Sequence, residues 1–353
     1  MPITNRIRKS TEVQAAGAHS AGIWVDTVSG ALKFNPNGSV HTVGGDVGKG
    51  VNIFLDPLNG SDHNSGFGPH DAKATLDGTQ GAFSVATAGQ GDVIYILSDG
   101  STTATVRVDA AFTWNKKNTH LVGISSGSRF SGRARIAPNG ATTAFANFFT
   151  VSVDGCRFEN VQWFHGFNTG VAAAICMTVT GNRNVFVNCH IAGMGDAVSA
   201  QSATSRSLKI STGGENDFID CVIGLDTVTR TAVANASVEF AAATPRNTFK
   251  GCVFPIYTSS AVPVIIKGAA SGCMDRFQLF ERCLFINGAG SGSTTLTGTV
   301  LLAASAGGIL FLKDCDNVAC GPWGSSDATT KAQIYVSGPI TTNTTGIALT
   351  AVN

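Results

Sequence analysis

The sequence predicts an all-β protein: a right-handed parallel β-helix, or solenoid, preceded by a short N-terminal β arm. Three observations predict it: a composition of strand and turn formers with little charge, a short phrase repeated at a near-constant interval, and matched residue columns when the repeats are aligned.

Of 353 residues only 13% are charged, about half the usual share for a soluble domain. Glycine contributes 42 residues, and Phe at 21 far outnumbers Tyr at 3 and Trp at 4, so the aromatic content is destined for burial. Such a mixture suits many short strands and tight turns, whereas helices need runs of Ala, Leu, Glu and Lys. The length accommodates two average domains or one large β domain. A net charge of +1, from 24 basic and 23 acidic residues, supplies no concentrated positive field for nucleic acid. The basic cluster NRIRKS at residues 5–10 reads as a solvated tail. The opening MPITNRIRKSTEVQ lacks the apolar core of a secretory signal. No apolar run approaches the ~20 residues of a membrane-spanning helix. Cysteine occurs 9 times, an odd number with no CxxC pair, which reads as buried thiols rather than disulfides or zinc ligands. Synthesis in a reducing cytoplasm is therefore expected.

Aligning on an aromatic-x-x-Cys phrase gives Phe158/Val161, Phe186/Cys189, Phe218/Cys221, Phe249/Cys252, Phe280/Cys283 and Leu312/Cys315. Their second members fall 28, 32, 31, 31 and 32 residues apart, the period of a solenoid built one coil per repeat. The intervening segments are rich in Gly, Thr, Ser and Val and carry no 3.6-residue stripe, which excludes a helical solenoid. The core ladder is accordingly expected in Phe186, Cys189, Phe218, Cys221, Phe249, Cys252, Phe280 and Cys283. Between Phe and Cys stands the column Asn160, Asn188, Asp220, Gly251, Arg282, Asp314. All but Arg282 tolerate a left-handed backbone, so the column reads as a one-residue bend joining two short strands. Two residues past the cysteine, Trp163, Ile191, Ile223, Phe254 and Phe285 form a further inward row that Asn317 breaks. Two residues before the Phe column stand Asn184, Asn216, Asn247 and Gln278, whose amides can hydrogen-bond along the stack. Strand, bend, strand with like over like is a parallel β-helix. Its coils lie ~4.8 Å apart, so six rows span roughly 24 Å of axis. Right-handedness follows from the rule for parallel crossovers.

Outward positions say less. The column after Phe reads Glu159, Val187, Ile219, Lys250, Glu281, Lys313, and its alternating end favours weak ion pairs between coils. The column after Cys reads Gln162, His190, Val222, Val253, Leu284, Asp316. Together Val187, Ile219, Val222, Val253 and Leu284 form an apolar strip that flanking loops or another subunit must cover, and a subunit interface is the expectation.

Residues 1–50 lack the repeat. GIWVDTVSGALKFNPNGSVHTV reads as two or three short strands joined at SG and NPNG, and GGDVGKG as a flexible joint, giving an attachment module. The β-helix is expected over 51–330 and a C-terminal strand or cap segment over 331–353.

Residues 51–100 contain Asp56, Gly60, Asp62 and Gly66 in a D-x-x-x-G-x-D-x-x-x-G turn, then Ala74-Thr75-Leu76 and the strand Gly91 to Tyr95. This resembles the opening of pectin-lyase-like β-helix proteins, and residues 118–129 resemble their next coil. The likeness covers about 51–320 and implies the fold. With a short arm and small Ala/Thr-rich coils, the chain is also similar to virion proteins of tailed bacteriophages. That resemblance implies a non-enzymatic structural protein of the virion. A homotrimeric decoration or cement protein on the capsid exterior is expected, held through residues 1–50 to the major capsid protein or another virion protein. The alternative it implies is a tailspike or receptor-binding protein that binds or cleaves host polysaccharide.

Other motifs in the sequence point to different chemistry and fall short of it. GISSG around Ser125 matches a nucleophile elbow, yet SGSRFSG cannot start the helix an elbow requires. GGDVGKG around Lys49 is one residue short of a phosphate loop and has Gly50 where Ser or Thr would hold magnesium. Asp56, Asn59, Asp62 and Asn64 supply cation-type oxygens without EF-hand spacing, and Asx turns use the same residues. Glycan hydrolysis needs two carboxyl groups across a groove, for which Glu159, Glu215, Asp217, Asp220 and Glu281 are the candidates. A pectate-type lyase would need aspartates for calcium and a basic residue. His120, His165 and His190 fall on different coils without ligand spacing. No cofactor, metal or catalytic residue is therefore assigned.

Overall fold

The computed structural model describes residues 50–125, 133–288, 293–324 and 333–337, and the backbone of strand residues 22–25, 32–35, 41–43 and 350–351. The basic cluster at 5–10 and Lys49 lie outside the described residues.

Parallel strands stack into three sheets that run along one axis. Among the described residues sheet 1 has 12 strands, sheet 2 has 9 and sheet 3 has 7, the last contributing one strand to each complete coil. A typical coil runs through Val185–Val187 in sheet 1, His190–Ala192 in sheet 2 and Arg206–Ser211 in sheet 3. The next repeats it through Asp217–Ile219, Val222–Ile223 and Ala236–Ala242. The fold is a right-handed parallel β-helix, all-β apart from short single-turn helices. At its far end Ile334–Ser337 extends sheet 1 in parallel, and Thr350–Ala351 pairs with it antiparallel. Within residues 1–50, Gly22–Val25, Leu32–Asn35 and His41–Val43 form an antiparallel three-stranded sheet.

The aligned columns become stacks without slippage. Phe158 opposes Phe186, then Phe218, Phe249, Phe280 and Leu312 follow in register. Successive Phe rings lie 4.8, 4.6, 4.7 and 4.4 Å apart, within 11° of parallel. That spacing is the strand spacing itself, so ring stacking and backbone pairing reinforce each other. Each ladder thiol reaches the carbonyl of the Phe one coil back: Cys189 to Phe158, Cys221 to Phe186, Cys252 to Phe218 and Cys283 to Phe249, at 3.3–3.4 Å. All nine cysteines are free, and burial holds the Cys189 and Cys252 thiols well above their ordinary range.

Two of the three bends of the coil carry a column of left-handed residues. The column between Phe and Cys has φ between 47° and 62° in all six rows, Arg282 included at 52°. A second left-handed column, not read from the sequence, stands just before the amide ladder: Arg183 at 55°, Glu215 at 57° and Arg246 at 51°. The ladder itself is buried and continuous. Asn216 Oδ1 accepts from the Asn184 backbone at 2.9 Å and Asn247 Oδ1 from the Asn216 backbone at 3.1 Å. Gln278 Oε1 accepts from the Asn247 side chain at 3.1 Å.

The apolar strip needs correction. Val187 and Ile219 lie on sheet 1, whereas Val222, Val253 and Leu284 lie on sheet 2, across the bend. Val222 is 0% and Val253 5% exposed, so these two are already covered within the single chain, whereas Val187, Ile219 and Leu284 are half-buried. Periodicity marks a side chain as outward from its own coil; it does not tell whether a connection of the same chain folds over it. Arg133 crosses coils in this way at the bend, its Nε donating to Asn188 O at 2.6 Å.

Candidate functional site

The carboxylates singled out for glycan cleavage do not converge. Glu281 pairs with Lys313 of the next coil at 2.6 Å, and Glu159 with Arg157 of its own strand at 2.8 Å. Glu215 lies between Arg183, at 2.7 Å, and Arg246. Hydrogen bonds from Arg246 and Arg183 hold Glu215 below the usual carboxylate range, and Lys313 does the same to Glu281. A general acid needs the opposite shift. Asp217 is half-buried and Asp220 exposed near the bend.

The other candidates are occupied by the fold. Ser125 follows the strand His120–Ile124, and its Oγ is 3.3 Å from the Asn160 side-chain nitrogen. Asp56 accepts from the backbones of Leu58 and Asn59 at 2.9 and 3.0 Å. Asp62 accepts from the backbones of Ala74 and Thr75, both at 3.0 Å, and from the Thr75 hydroxyl at 2.8 Å. Asn64 Nδ2 donates to Ala72 O at 2.9 Å. These oxygens close turns. The histidines stay apart. His120 accepts from Arg157 N, His165 donates to Phe145 O, and His190 donates to Gly224 O, each at 3.0 Å.

Two surface concavities were missed by sequence reasoning. The first, about 370 Å³, is lined by Asp62, Thr75, Asp77 and the glycine-rich turn through Gly81. Burial, then the charges of Asp109 and Asp62, raise the Asp77 carboxyl. Burial also acts on Asp62, but the hydroxyl and backbone of Thr75 outweigh it and lower that carboxyl. The pair thus differs in protonation tendency. Asp62, however, already accepts three hydrogen bonds, and no aromatic ring lines the space for a sugar.

The second, about 440 Å³, lies where sheet 2 strands of the early coils end, lined by Arg107, Asn139, Phe164, Phe167 and Asn168 among others. Arg107 and Asn139 are exposed, and Phe164 is half-buried. The Arg135 guanidinium lies 5.9 Å from the centre of the Phe164 ring, a cation–π arrangement. Burial, then the charge of Arg107, lowers the Arg135 pKa. No carboxylate of the described residues forms an ion pair with either arginine. This groove therefore offers positive charge, amides and an aromatic face, and no acid or base for bond cleavage. Its parts come from separate coils at irregular spacing, which is why the repeat alignment did not reveal it.

No protein-family model matches the chain, and no curated protein matches it. Among solved structures, a pectin methylesterase variant in complex with a hexasaccharide is similar at 13% identity and TM-score 0.49, over 84% of this chain and 92% of that one. A pectin methylesterase from Aspergillus niger matches at 12% identity and TM-score 0.42, over 84% of this chain and 83% of that one. The ORF18 protein of Geobacillus virus E2 matches at 12% identity and TM-score 0.43, over 90% of this chain and 64% of that one. Similarity at this level says nothing of activity.

Proposed function

We propose that the chain is a non-enzymatic structural protein of a tailed-phage virion, a homotrimeric decoration protein on the capsid exterior held to the shell through residues 1–50. The observation that carries the reading is that a continuously stacked, hydrogen-bonded rod has its outer glutamates Glu159, Glu215 and Glu281 taken up in ion pairs. Stiffness is provided for, and these three glutamates are not free to act as the acid pair of a glycosidase. The subunit contact moves to another face. On the outer side of sheet 1, Phe277 and Ile309 oppose each other at 39% and 43% exposure. Leu279, Phe311 and Tyr335, half-buried, continue the same apolar patch along the register. A contiguous patch of this kind marks an interaction surface.

Incubation of the purified protein with bacterial capsule and lipopolysaccharide is expected to release no oligosaccharide, and imaging of intact particles to locate the chain on the capsid shell. Released oligosaccharide, abolished by Asp77→Asn, would overturn the non-enzymatic reading. Phe277→Asp combined with Ile309→Asp is expected to give a folded monomer in light scattering; an unchanged oligomer would exclude this face.

A second reading is favoured by the Arg107–Phe164 groove: a receptor-binding protein that holds an acidic surface glycan without cleaving it. Glycan-array binding lost on Arg107→Ala would favour it, and imaging would then find the chain on the tail.

A further inference from the structure

At the corner between sheets 2 and 3 a guanidinium is enclosed without a counter-charge. Arg230 is 1% exposed. Its Nη1 donates to Ser237 Oγ at 3.0 Å, and its Nη2 has no hydrogen-bond partner among the described residues. Ser237 stands over Ser207 in the ladder, because Arg206 opposes Ala236 and Leu208 opposes Val238. Ser207 is fully buried, and its hydroxyl also has no partner among the described residues. Two glycines border these groups. A Cβ on Gly224 would lie 3.3 Å from Ser237 Oγ and 3.5 Å from Arg230 Nη2. A Cβ on Gly193 would lie 3.0 Å from Ser207 Oγ.

The neighbouring charges do not compensate Arg230. Glu239 is shared by Arg206 at 2.6 Å, Lys267 at 3.6 Å and Lys209 at 3.9 Å, and the charge of Arg206 acts on Arg230. Burial, then that neighbouring charge, lowers the Arg230 pKa to about 9, so it stays cationic at neutral pH. A buried cation is tolerated when it is both paired and hydrogen-bonded. Water would satisfy the free donors and leave the charge; an anion does both.

We propose that this corner binds a small monovalent anion, chloride in the cell, between Arg230 Nη2 and the hydroxyls of Ser207 and Ser237. Arg230 and Ser207 are all but closed to solvent, so an anion held there must be small. The site is independent of the virion assignment and concerns the stability of the rod.

The test compares thermal unfolding of the full chain in sodium gluconate and in sodium chloride or bromide at equal ionic strength. A saturable rise of about 2–4 °C in the halides is expected. Crystals grown in bromide should show an anomalous peak beside Arg230 and Ser237. Arg230→Met should abolish the halide response; should that variant fail to fold, Ser207→Ala should raise the half-saturating bromide concentration about tenfold. Equal midpoints in gluconate and halide, or bromide crystals without a peak at this corner, would overturn the proposal.

Discussion

Single residues make the coil turn. Left-handed backbone strains any residue with a Cβ, by roughly 1–2 kcal/mol, and least for Asn and Asp, whose short polar side chains bond locally. Asn160 and Asn188 show the compatible solution: each bend amide faces the next, Asn188 Nδ2 donating to Asn160 Oδ1 at 3.3 Å. Arg282 holds the same conformation at φ 52° with an exposed side chain. Arg282→Asn is therefore expected to stabilise the protein by up to ~1 kcal/mol. Thermal denaturation of the variant checks it, and a lowered midpoint would mean that the arginine side chain contributes a contact worth more than the backbone strain. The second left-handed column raises the same question with charged residues. Arg183, Glu215 and Arg246 alternate in sign, so ion pairing between coils offsets part of that strain. Nothing in residue type announces this column, which is why the sequence alignment passed over it.

Elements divide into those the repeat disciplines and those it leaves free. Sheet 1 and the start of sheet 2 were legible because Phe, the bend and Cys keep fixed offsets, so like residues meet at every coil. Sheet 3 was not, because its distance from the Phe column drifts. Leu208 follows Phe186 by 22 residues and Ile266 follows Phe249 by 17, although Leu208, Val238 and Ile266 stand in one register. Connections of unequal length absorb the difference on the outside of the coil. Those same connections line the Arg107–Phe164 groove and border the Arg230 corner. The interior of a solenoid is thus written in one dimension; what covers its exterior depends on three-dimensional return paths. The candidate carboxylates failed for a related reason. Composition located Glu215 and Glu281 but not the bases one coil away, and only the stacking of Arg183, Arg246 and Lys313 against them shows that they are neutralised.

For the whole molecule, the burial of neutral histidines sets an acid limit on stability. His190 lies in a chain of hydrogen bonds along the outside of sheet 2. Arg135 Nε donates to Gln162 Oε1 at 2.6 Å, Gln162 Nε2 meets His190 Nδ1 at 2.8 Å, and His190 Nε2 donates to Gly224 O at 3.0 Å. Protonation would place two donors face to face beside Arg133 and Arg135, and burial, helped by those charges, lowers the His190 pKa to about 4. His165, packed against Phe148 and donating to Phe145 O, is brought to about 4 by burial despite Asp196 nearby. A folded-state pKa below the unfolded value of ~6.5 means that the unfolded chain binds more protons between the two. The stability these histidines confer is complete above pH 6.5 and lost as pH falls toward 4, by up to ~3 kcal/mol for each. Urea midpoints are accordingly expected to fall between pH 7.5 and pH 5, and His190→Gln to flatten that slope relative to the parent. A midpoint constant over this range would show that the histidines are protonated in the folded rod, and the hydrogen-bond chain from Arg135 to Gly224 would have to run differently.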